Sequence, residues 1–133
     1  MKDYTVIIPT YNEKDNIKPL LKEIELALKD INYEIIFVDD SNDGTDDIIN
    51  NEMKRNKRIK LKHRNKGKGL SSAVIDGIKM ADSDIISVMD ADLQHPPYLL
   101  KKMYKEVLNG ADFCIPSRFI TGGSDGGRSE ERR

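Results

Sequence analysis

Hydrophobic residues in this chain fall into two alternating patterns, short apolar runs and longer stretches with helical spacing. Residues 4–8, 34–38, 59–61, 85–89 and 112–116 form the runs, which are rich in β-branched and aromatic side chains. Such runs are typical of strands. The third is the weakest and suits a position at or near a sheet edge, and Pro9 is expected to end the first.

Between these runs, apolar residues recur every three or four positions, which predicts helices. Asp15 is the expected N-cap of the first helix, Gly69 is expected to open the third, and Pro96-Pro97 to start the fourth. The stripes comprise Ile17, Leu20, Leu21, Ile24, Ala27 and Leu28; Ile48, Ile49 and Met53; Leu70, Ala73, Val74, Gly77, Ile78 and Ala81; and Leu99, Leu100, Met103, Tyr104, Val107 and Leu108.

Strands that alternate with helices imply right-handed crossovers. The sequence therefore predicts an α/β fold with a mostly parallel sheet and helices on both faces. Residues 1–120 are expected to form one domain. Residues 121–133, rich in glycine and charge, are expected to be a flexible tail at the start of an acceptor region that this chain lacks.

Composition narrows the function classes. Net charge is −1, from 22 basic and 23 acidic residues, so no broad cationic field indicates a nucleic-acid partner. The single Cys114 permits no internal disulfide. No apolar stretch approaches the roughly 18 residues of a membrane span, and no signal peptide is visible. These features favour a soluble, cytoplasmic chain.

The segment Met89-Asp90-Ala91-Asp92-Leu93-Gln94 is the most informative motif. In an extended chain, residues two apart point the same way, so both carboxylates and the Gln94 amide could face one point. Oxygen ligands of this kind suit Mg²⁺ or Mn²⁺ that carries a diphosphate. The alternative is an acidic loop that merely follows a strand.

In a doubly wound sheet, the segments after strands one, two and four can converge on one crevice. Here they contain Tyr11 and Glu13, Asp39-Asp40, and Asp90. Asp39 or Asp40 could accept from the N–H groups of uracil or guanine, Tyr11 could stack on the base, and Glu13 could bind ribose hydroxyls. An ordinary turn with a helix N-cap explains residues 42–45 better, so only the two aspartates are interpreted as facing a ligand.

Basic residues cluster at positions 63–69, before a helix N-terminus that favours anions. This makes Arg64 a candidate phosphate contact, and a solvated basic loop is an equal alternative. Ser117-Arg118 follows the fifth run, where arginine suits phosphate. Neither a P-loop nor a Gly-x-Gly-x-x-Gly motif is present, which argues against P-loop nucleotide hydrolases and dinucleotide oxidoreductases.

Together these segments resemble the family 2 inverting glycosyltransferases of GT-A fold, and more narrowly their dolichol-phosphate mannose synthase and polyprenyl-phosphate glycosyltransferase branch. The resemblance extends through the chain in the expected order. It is carried by residues 6–13, 37–41 and 69–74, by Met89-Asp90-Ala91-Asp92-Leu93-Gln94-His95-Pro96-Pro97, and by Ser117-Arg118-Phe119. Residues 39–45 depart from the branch, being one residue shorter, with Asn42 in place of a proline.

The resemblance implies a Rossmann-like nucleotide-sugar-binding half with a bound Mg²⁺ or Mn²⁺. Metal ligands would be Asp90, Asp92 and Gln94, and the expected catalytic residues are Asp92 and Arg118. The expected substrate-binding residues are Pro9, Tyr11, Glu13, Val38, Asp39, Asp40, Arg64, Asp90, Ala91, Asp92, Arg118 and Arg132.

The implied reaction transfers a sugar, with inversion, from GDP-mannose or a UDP-sugar to a polyprenyl phosphate. The protein would then act at the cytoplasmic face of a membrane, where such an acceptor resides. Two alternatives stay open at this point. One is a non-catalytic nucleotide-sugar-binding remnant; the other is a nucleotidyltransferase, although Pro9-Thr10-Tyr11-Asn12-Glu13 is not the glycine-rich loop that class needs.

Overall fold

The computed structural model describes residues 2–64, 69–91 and 96–110, and within them strands alternate with helices as the sequence predicts. The bounds are β1 (Tyr4–Thr10), α1 (Ile17–Ala27), β2 (Tyr33–Asp39), α2 (Thr45–Arg55), β3 (Ile59–His63), α3 (Leu70–Met80), β4 (Ile86–Val88) and α4 (Leu99–Leu108). The predicted fifth strand and the tail lie outside the described residues.

All pairings in the four-stranded sheet are parallel, and the strand order is β3-β2-β1-β4. The chain adds β2 and β3 on one side of β1 and then returns to place β4 on the other side. This reversal makes the carboxyl end of the β1–β4 pair a topological switch point, where open α/β sheets bind ligands. Within the part of the chain that the structure describes, β3 is an edge strand, as expected.

Helices cover both faces of the sheet, which confirms the predicted fold class. On one face, Val6, Ile8, Ile35 and Phe37 are fully buried in a cluster with residues of α1, α2 and α4. On the other face, the described cover is α3, whose Ala73 packs against Ile36 and Val38. Every residue of β2 is buried, as expected for a strand enclosed on both sides.

Pro9 does not end β1, so that prediction was wrong: the strand continues to Thr10. Alternate residues of β1 direct their backbone groups toward β4, since Thr5 N donates to Ile85 O and Met89 N donates to Ile7 O. Pro9 follows in the same phase, but β4 has already ended at Val88. Its missing N–H therefore costs the sheet no hydrogen bond.

The expected N-cap Asp15 was also wrong. Helix α1 begins at Ile17 with Asn16 in the N-cap position, and the Asn16 side chain does not cap the helix. Instead its amide Nδ2 donates to Glu13 Oε2 at 3.1 Å. The helix start is thereby tied to the preceding loop rather than to its own first turn.

The expected apolar stripe of α3 was only partly correct. Ala73 and Gly77 are its buried residues, whereas Leu70 and Ile78 are 61% and 48% exposed. Small residues face the sheet because the helix lies close to it, which turns the larger side chains outward. Leu108, at the end of α4, is also exposed rather than packed.

Candidate functional site

The ends of β1, β2 and β3 lie level at the carboxyl edge of the sheet. Thr10 is in register with Asp39, and Asp39 with His63. On the other side of β1, Met89 N donates to Ile7 O at 3.0 Å, so Asp90 follows at the same edge. The structure therefore brings the segments after β1, β2 and β4 to one edge, as the sequence analysis expected.

Asp39 is fully buried, and both its carboxylate oxygens are used inside the protein. Its Oδ1 accepts hydrogen bonds from Thr10 Oγ1 at 2.5 Å and Ser41 Oγ at 2.6 Å, and its Oδ2 accepts from His63 Nδ1 at 2.9 Å. Hydrogen bonds to a charged acceptor are among the strongest in proteins. Asp39 thus joins the ends of the three strands β1, β2 and β3.

Asp40 has a different environment from its neighbour. Arg64 forms a bidentate salt bridge with Asp40. Its Nε donates to Oδ1 at 2.7 Å and its Nη2 donates to Oδ2 at 2.6 Å. The Asp40 side chain keeps 14% of its surface exposed, whereas that of Asp39 is at 0%. Hydrogen bonding to Asp40 raises the pKa of Arg64. Of the two aspartates, Asp40 is the one with a path to solvent.

Arg64 is buried, which excludes the solvated-loop interpretation for this residue. Besides the pair with Asp40, its Nη1 donates to Ser72 Oγ at 2.8 Å and Asp76 Oδ2 at 3.2 Å, and its Nη2 donates to Gly69 O at 3.3 Å. A guanidinium carries five N–H donors. All of them are therefore engaged by protein acceptors, and a direct phosphate contact would have to replace one.

The loops after β1 and β2 are interlocked. Asn12 adopts a left-handed backbone conformation with φ +53°, which asparagine tolerates better than most residues. Its backbone N–H donates to Ser41 Oγ at 2.7 Å, and its Oδ1 accepts from Asn42 N at 3.1 Å. Glu13 N also donates to Thr45 Oγ1 at 3.1 Å. The first loop is thus fixed against the second.

The residues after Asp40 form an ordinary turn that leads into α2. Asp43 Oδ1 accepts hydrogen bonds from Thr45 N at 3.1 Å and Thr45 Oγ1 at 2.5 Å at the start of α2. The Thr45 hydroxyl is the main cause of a lowered pKa at Asp43. This supports the separation of Asp39-Asp40 from the residues that follow.

The remaining expected donor contacts differ in accessibility. Tyr11 is 64% exposed at the edge of the site, and Pro9 and Glu13 are half-buried. Val38 and Ala91 are buried, backbone included, so in this structure they present almost no surface to a ligand. Asp92, Gln94, Arg118 and Arg132 lie outside the described residues.

A metal could be held in two places that the described residues touch. Asp90 is half-buried at the carboxyl edge of the sheet, where its carboxylate is a candidate metal ligand. Asp39, Asp46 and His63 also place ligand atoms within 4.8 Å of one another. A hydrogen bond already explains why Asp39 and His63 lie close together, because Asp39 Oδ2 accepts from His63 Nδ1 at 2.9 Å. Asp46 Oδ2 lies 4.0 Å from the same nitrogen.

Sequence reasoning missed the partners of Asp39, namely Thr10, Ser41 and His63, and the α3 partners of Arg64, namely Ser72 and Asp76. Strand register is the signal that could have revealed His63 and Thr10, since both lie level with Asp39. Ser72 and Asp76 lie on α3 at the i and i+4 positions of one face, but nothing in the sequence shows that this face meets Arg64.

Among the described residues, no helix has the length and apolar character needed to cross a bilayer.

Comparison with known proteins identifies the family. The sequence profile of glycosyl transferase family 2 matches residues 5–133. A dolichol-phosphate mannosyltransferase of Pyrococcus furiosus is 46% identical over 119 residues, which is 90% of this chain and 34% of that protein. A dolichol-phosphate mannosyltransferase of Saccharomyces cerevisiae is 38% identical over 127 residues, or 90% of this chain and 46% of that protein. The chain therefore spans less than half the length of these relatives.

Solved structures agree on the fold. The crystal structure of S. aureus TarS 1–349 in complex with UDP-GlcNAc matches with a TM-score of 0.61 and 28% identity, over 90% of this chain and 31% of that one. The crystal structure of TarS 1–349 alone gives a TM-score of 0.62 at 25% identity, over 90% and 32% of the two chains. These likenesses confirm the expected GT-A fold. The chain belongs to glycosyl transferase family 2.

Proposed function

We propose that this chain is the nucleotide-sugar-binding part of an inverting glycosyltransferase. It moves a mannose- or glucose-type sugar from a nucleoside diphosphate to a polyprenyl phosphate. One observation carries the proposal: the Tyr11, Asp40 and Asp90 segments meet at the carboxyl edge of the sheet, beside its switch point. Family membership supplies the reaction class.

Asp40, rather than Asp39, is proposed to accept the N–H of the base. Its carboxylate is partly exposed, whereas that of Asp39 is fully enclosed and bonded at both oxygens. Each carboxylate oxygen has two lone-pair sites, so after pairing with Arg64 each oxygen of Asp40 can accept one more hydrogen bond. The role of Asp39 is then to hold the strand ends.

The rest of the nucleoside would lie along the loop after β1. The exposed ring of Tyr11 is free to stack on the base, which suits any purine or pyrimidine. Glu13 is half-buried and can accept from ribose hydroxyls, next to Pro9. Val38 and Ala91 are buried beside these residues, and a contact of either with the nucleoside would require a local opening.

Asp90, Asp92 and Gln94 are proposed to hold Mg²⁺ or Mn²⁺. The half-buried position of Asp90 at the carboxyl edge of the sheet fits this role, and carboxylate and amide oxygens are the ligands that these hard cations prefer. When bound, the metal stabilises the departing diphosphate as a Lewis acid. Asp92 is accordingly the acidic residue proposed to matter most for catalysis.

The acceptor phosphate oxygen attacks the anomeric carbon from the face opposite the diphosphate. A new C–O bond forms as the bond to the nucleoside diphosphate breaks, and the electron pair leaves with that diphosphate. Because the phosphate is anionic at neutral pH, no general base is needed. Arg118 and Arg132 are proposed to neutralise and orient the phosphates. The lipid acceptor would place the reaction at the cytoplasmic face of a membrane.

Calorimetric titration with GDP-mannose, UDP-glucose and UDP-GlcNAc, each with Mn²⁺, tests donor binding. We expect one donor to bind in a metal-dependent manner and Asp92→Ala to abolish that binding, while Asp84→Ala, which alters an exposed aspartate before β4, leaves it intact. Equal donor affinity in Asp92→Ala and the parent would refute the metal assignment.

A transfer assay with polyprenyl phosphate tests the reaction, with the anomeric configuration of the product determined by NMR. An inverted product supports the full proposal. Donor binding without turnover would favour a non-catalytic nucleotide-sugar-binding protein, and failure to bind any donor would count against both functions.

A further inference from the structure

We infer that Arg64 is a positioning residue that fixes the Asp40 carboxylate for base recognition and couples it to α3 through Asp76. The inference rests on the proposed function, in which Asp40 faces the nucleobase. It assigns Arg64 an effect on nucleoside binding that does not pass through phosphate, which distinguishes it from the phosphate contact that the sequence alone suggested.

The first support is the geometry of the ion pair. Arg64 Nε and Nη2 meet Oδ1 and Oδ2 of Asp40 at 2.7 and 2.6 Å, the parallel arrangement that arginine makes with carboxylates. A free aspartate side chain can rotate about its last torsion, but a carboxylate held at both oxygens cannot. The plane of the Asp40 carboxylate is therefore set by the guanidinium.

The second support is that the guanidinium is itself fixed. The backbone N–H of Arg64 donates to Asp39 O at 2.8 Å, which continues the β2–β3 pairing past the end of β3. Its remaining donors reach Gly69 and Ser72 at the start of α3 and Asp76 in the middle of that helix. With 7% of its side chain exposed, Arg64 has no room to swing toward solvent without breaking these contacts.

The third support is that, among the described residues, Asp76 is linked to Asp40 only through Arg64. Asp76 Oδ2 accepts from Arg64 at 3.2 Å and lies 3.5 Å from Lys62 Nζ, but it does not contact Asp40. Burial acts to raise the pKa of Asp76, but the charge of Lys62 and its bond to Arg64 together lower it. If α3 positions Arg64 and Arg64 positions Asp40, substitution of Asp76 must weaken nucleoside binding even though Asp76 does not touch the nucleoside.

The test compares nucleosides with nucleoside diphosphates. Affinities for guanosine, uridine, GDP and UDP are measured by calorimetry, the diphosphates with Mn²⁺, on the parent, Arg64→Lys, Arg64→Gln, Asp40→Asn, Asp76→Asn and the double variant Asp40→Asn/Arg64→Gln. Arg55→Gln is the matched control, because Arg55 pairs with Glu25 and Glu52 at the opposite edge of the sheet. Circular dichroism establishes that each variant is folded.

We expect Arg64→Gln to weaken binding of the preferred nucleoside and of its diphosphate by the same factor, roughly 10- to 100-fold, the range for a hydrogen bond to a charged group. Arg64→Lys should fail to rescue, since a lysine cannot hold both oxygens. Asp76→Asn should give a smaller loss, and the double variant should bind no worse than Asp40→Asn alone.

A loss seen with the diphosphate but not with the nucleoside would overturn the inference in favour of a direct phosphate contact. Additive losses in the double variant, or unchanged affinity in Arg64→Gln, would also overturn it. If the parent binds none of these molecules, the proposed function fails and the inference fails with it. If the parent binds a nucleoside and Arg64→Gln binds it with the same affinity, the inference is refuted but the proposed function is not.

Discussion

Gly77 of α3 lies directly over Ile7 of β1, so close that no other side chain fits between them. A Cβ atom added at Gly77 would lie 2.6 Å from Ile7 Cγ2 and 3.0 Å from its Cδ1. Ile7 is fully buried, so its side chain can shift only by displacing its own neighbours. This contact sets the height of α3 above the sheet, and so the position of Ser72 and Asp76 beside Arg64.

We therefore expect Gly77→Ala to destabilise the protein. Overpacking costs about 1–3 kcal/mol and the better helix propensity of alanine returns up to about 1 kcal/mol, so the free energy of unfolding should fall by roughly 1–2 kcal/mol. Urea denaturation measures this change. Ser71→Ala, on the exposed side of the same helix, is the control and should be neutral or slightly stabilising. A more stable Gly77→Ala variant would contradict the close packing.

Thr10→Val tests whether the hydrogen bond from Thr10 to the buried Asp39 carboxylate stabilises the fold. Valine keeps the shape of threonine but removes the hydroxyl that donates to Asp39 Oδ1. An under-satisfied buried carboxylate should lower the free energy of unfolding by about 1–3 kcal/mol. In an Asp39→Asn background the same substitution should cost less, since the charge is gone. Equal costs in both backgrounds would show that the hydrogen bond contributes little.

Glu34 should make stability depend on acid pH. Burial acts to raise its pKa, but Lys60, the backbone N–H of Asp82 and the Thr5 hydroxyl act together to lower it. Lys60 Nζ lies 2.7 Å from Glu34 Oε1. A lowered folded-state pKa means that this stabilisation is complete above about pH 4.3, the value for an unperturbed glutamate, and is lost as the pH falls through the folded-state pKa.

The measurement for Glu34 is the free energy of unfolding between pH 3 and pH 7. Glu34→Gln should be about 1–2 kcal/mol less stable than the parent near pH 7. The gap should narrow as the pH falls below about 4.3, because the stabilisation by the charged glutamate is progressively lost there. Glu23→Gln, an exposed change on α1, should follow the parent throughout. A gap that stays constant with pH would mean that Glu34 contributes by packing alone.

Asp43→Ala should reduce stability and spare donor binding. The substitution removes the acceptor of two hydrogen bonds from Thr45 at the start of α2. We expect a lower melting temperature in a thermal scan and an unchanged dissociation constant for the preferred nucleoside diphosphate. A large loss of affinity at normal stability would instead place Asp43 in the binding site.

The order of the elements could be predicted because local patterns decide it. A strand such as β2, enclosed on both sides, must be apolar throughout, and amphipathic helices must show their spacing. The edge of the sheet that carries the site also follows from local information. In a parallel sheet, every carboxyl end lies on one side, so the loops with Tyr11, Asp40 and Asp90 had to share that edge.

The roles of individual polar residues could not be predicted in the same way. Asp39 and Asp40 are adjacent and chemically identical, and only their phase at the end of β2 separates the enclosed carboxylate from the accessible one. The pair between Asp40 and Arg64 joins residues 24 positions apart and depends on the β2–β3 register. The face of α3 that packs on the sheet could not be predicted from hydrophobicity, because its small residues contact the sheet and its leucine and isoleucines do not.

Tyr11 offers the cleanest separation of binding from stability. Its ring is 64% exposed, and the loop that carries it is held by backbone and Asn12 contacts rather than by the ring. Tyr11→Ala should therefore leave the free energy of unfolding unchanged within about 0.5 kcal/mol, as is usual for surface positions. If the ring stacks on the base, its loss should raise the dissociation constant of the preferred nucleoside diphosphate roughly 5- to 150-fold, which corresponds to about 1–3 kcal/mol. Tyr11→Phe keeps the stacking surface and should bind within about threefold of the parent, whereas Tyr11→Leu, apolar but not aromatic, should resemble the alanine variant. If leucine restores affinity as well as phenylalanine does, the residue only covers the site and the stacking assignment is wrong.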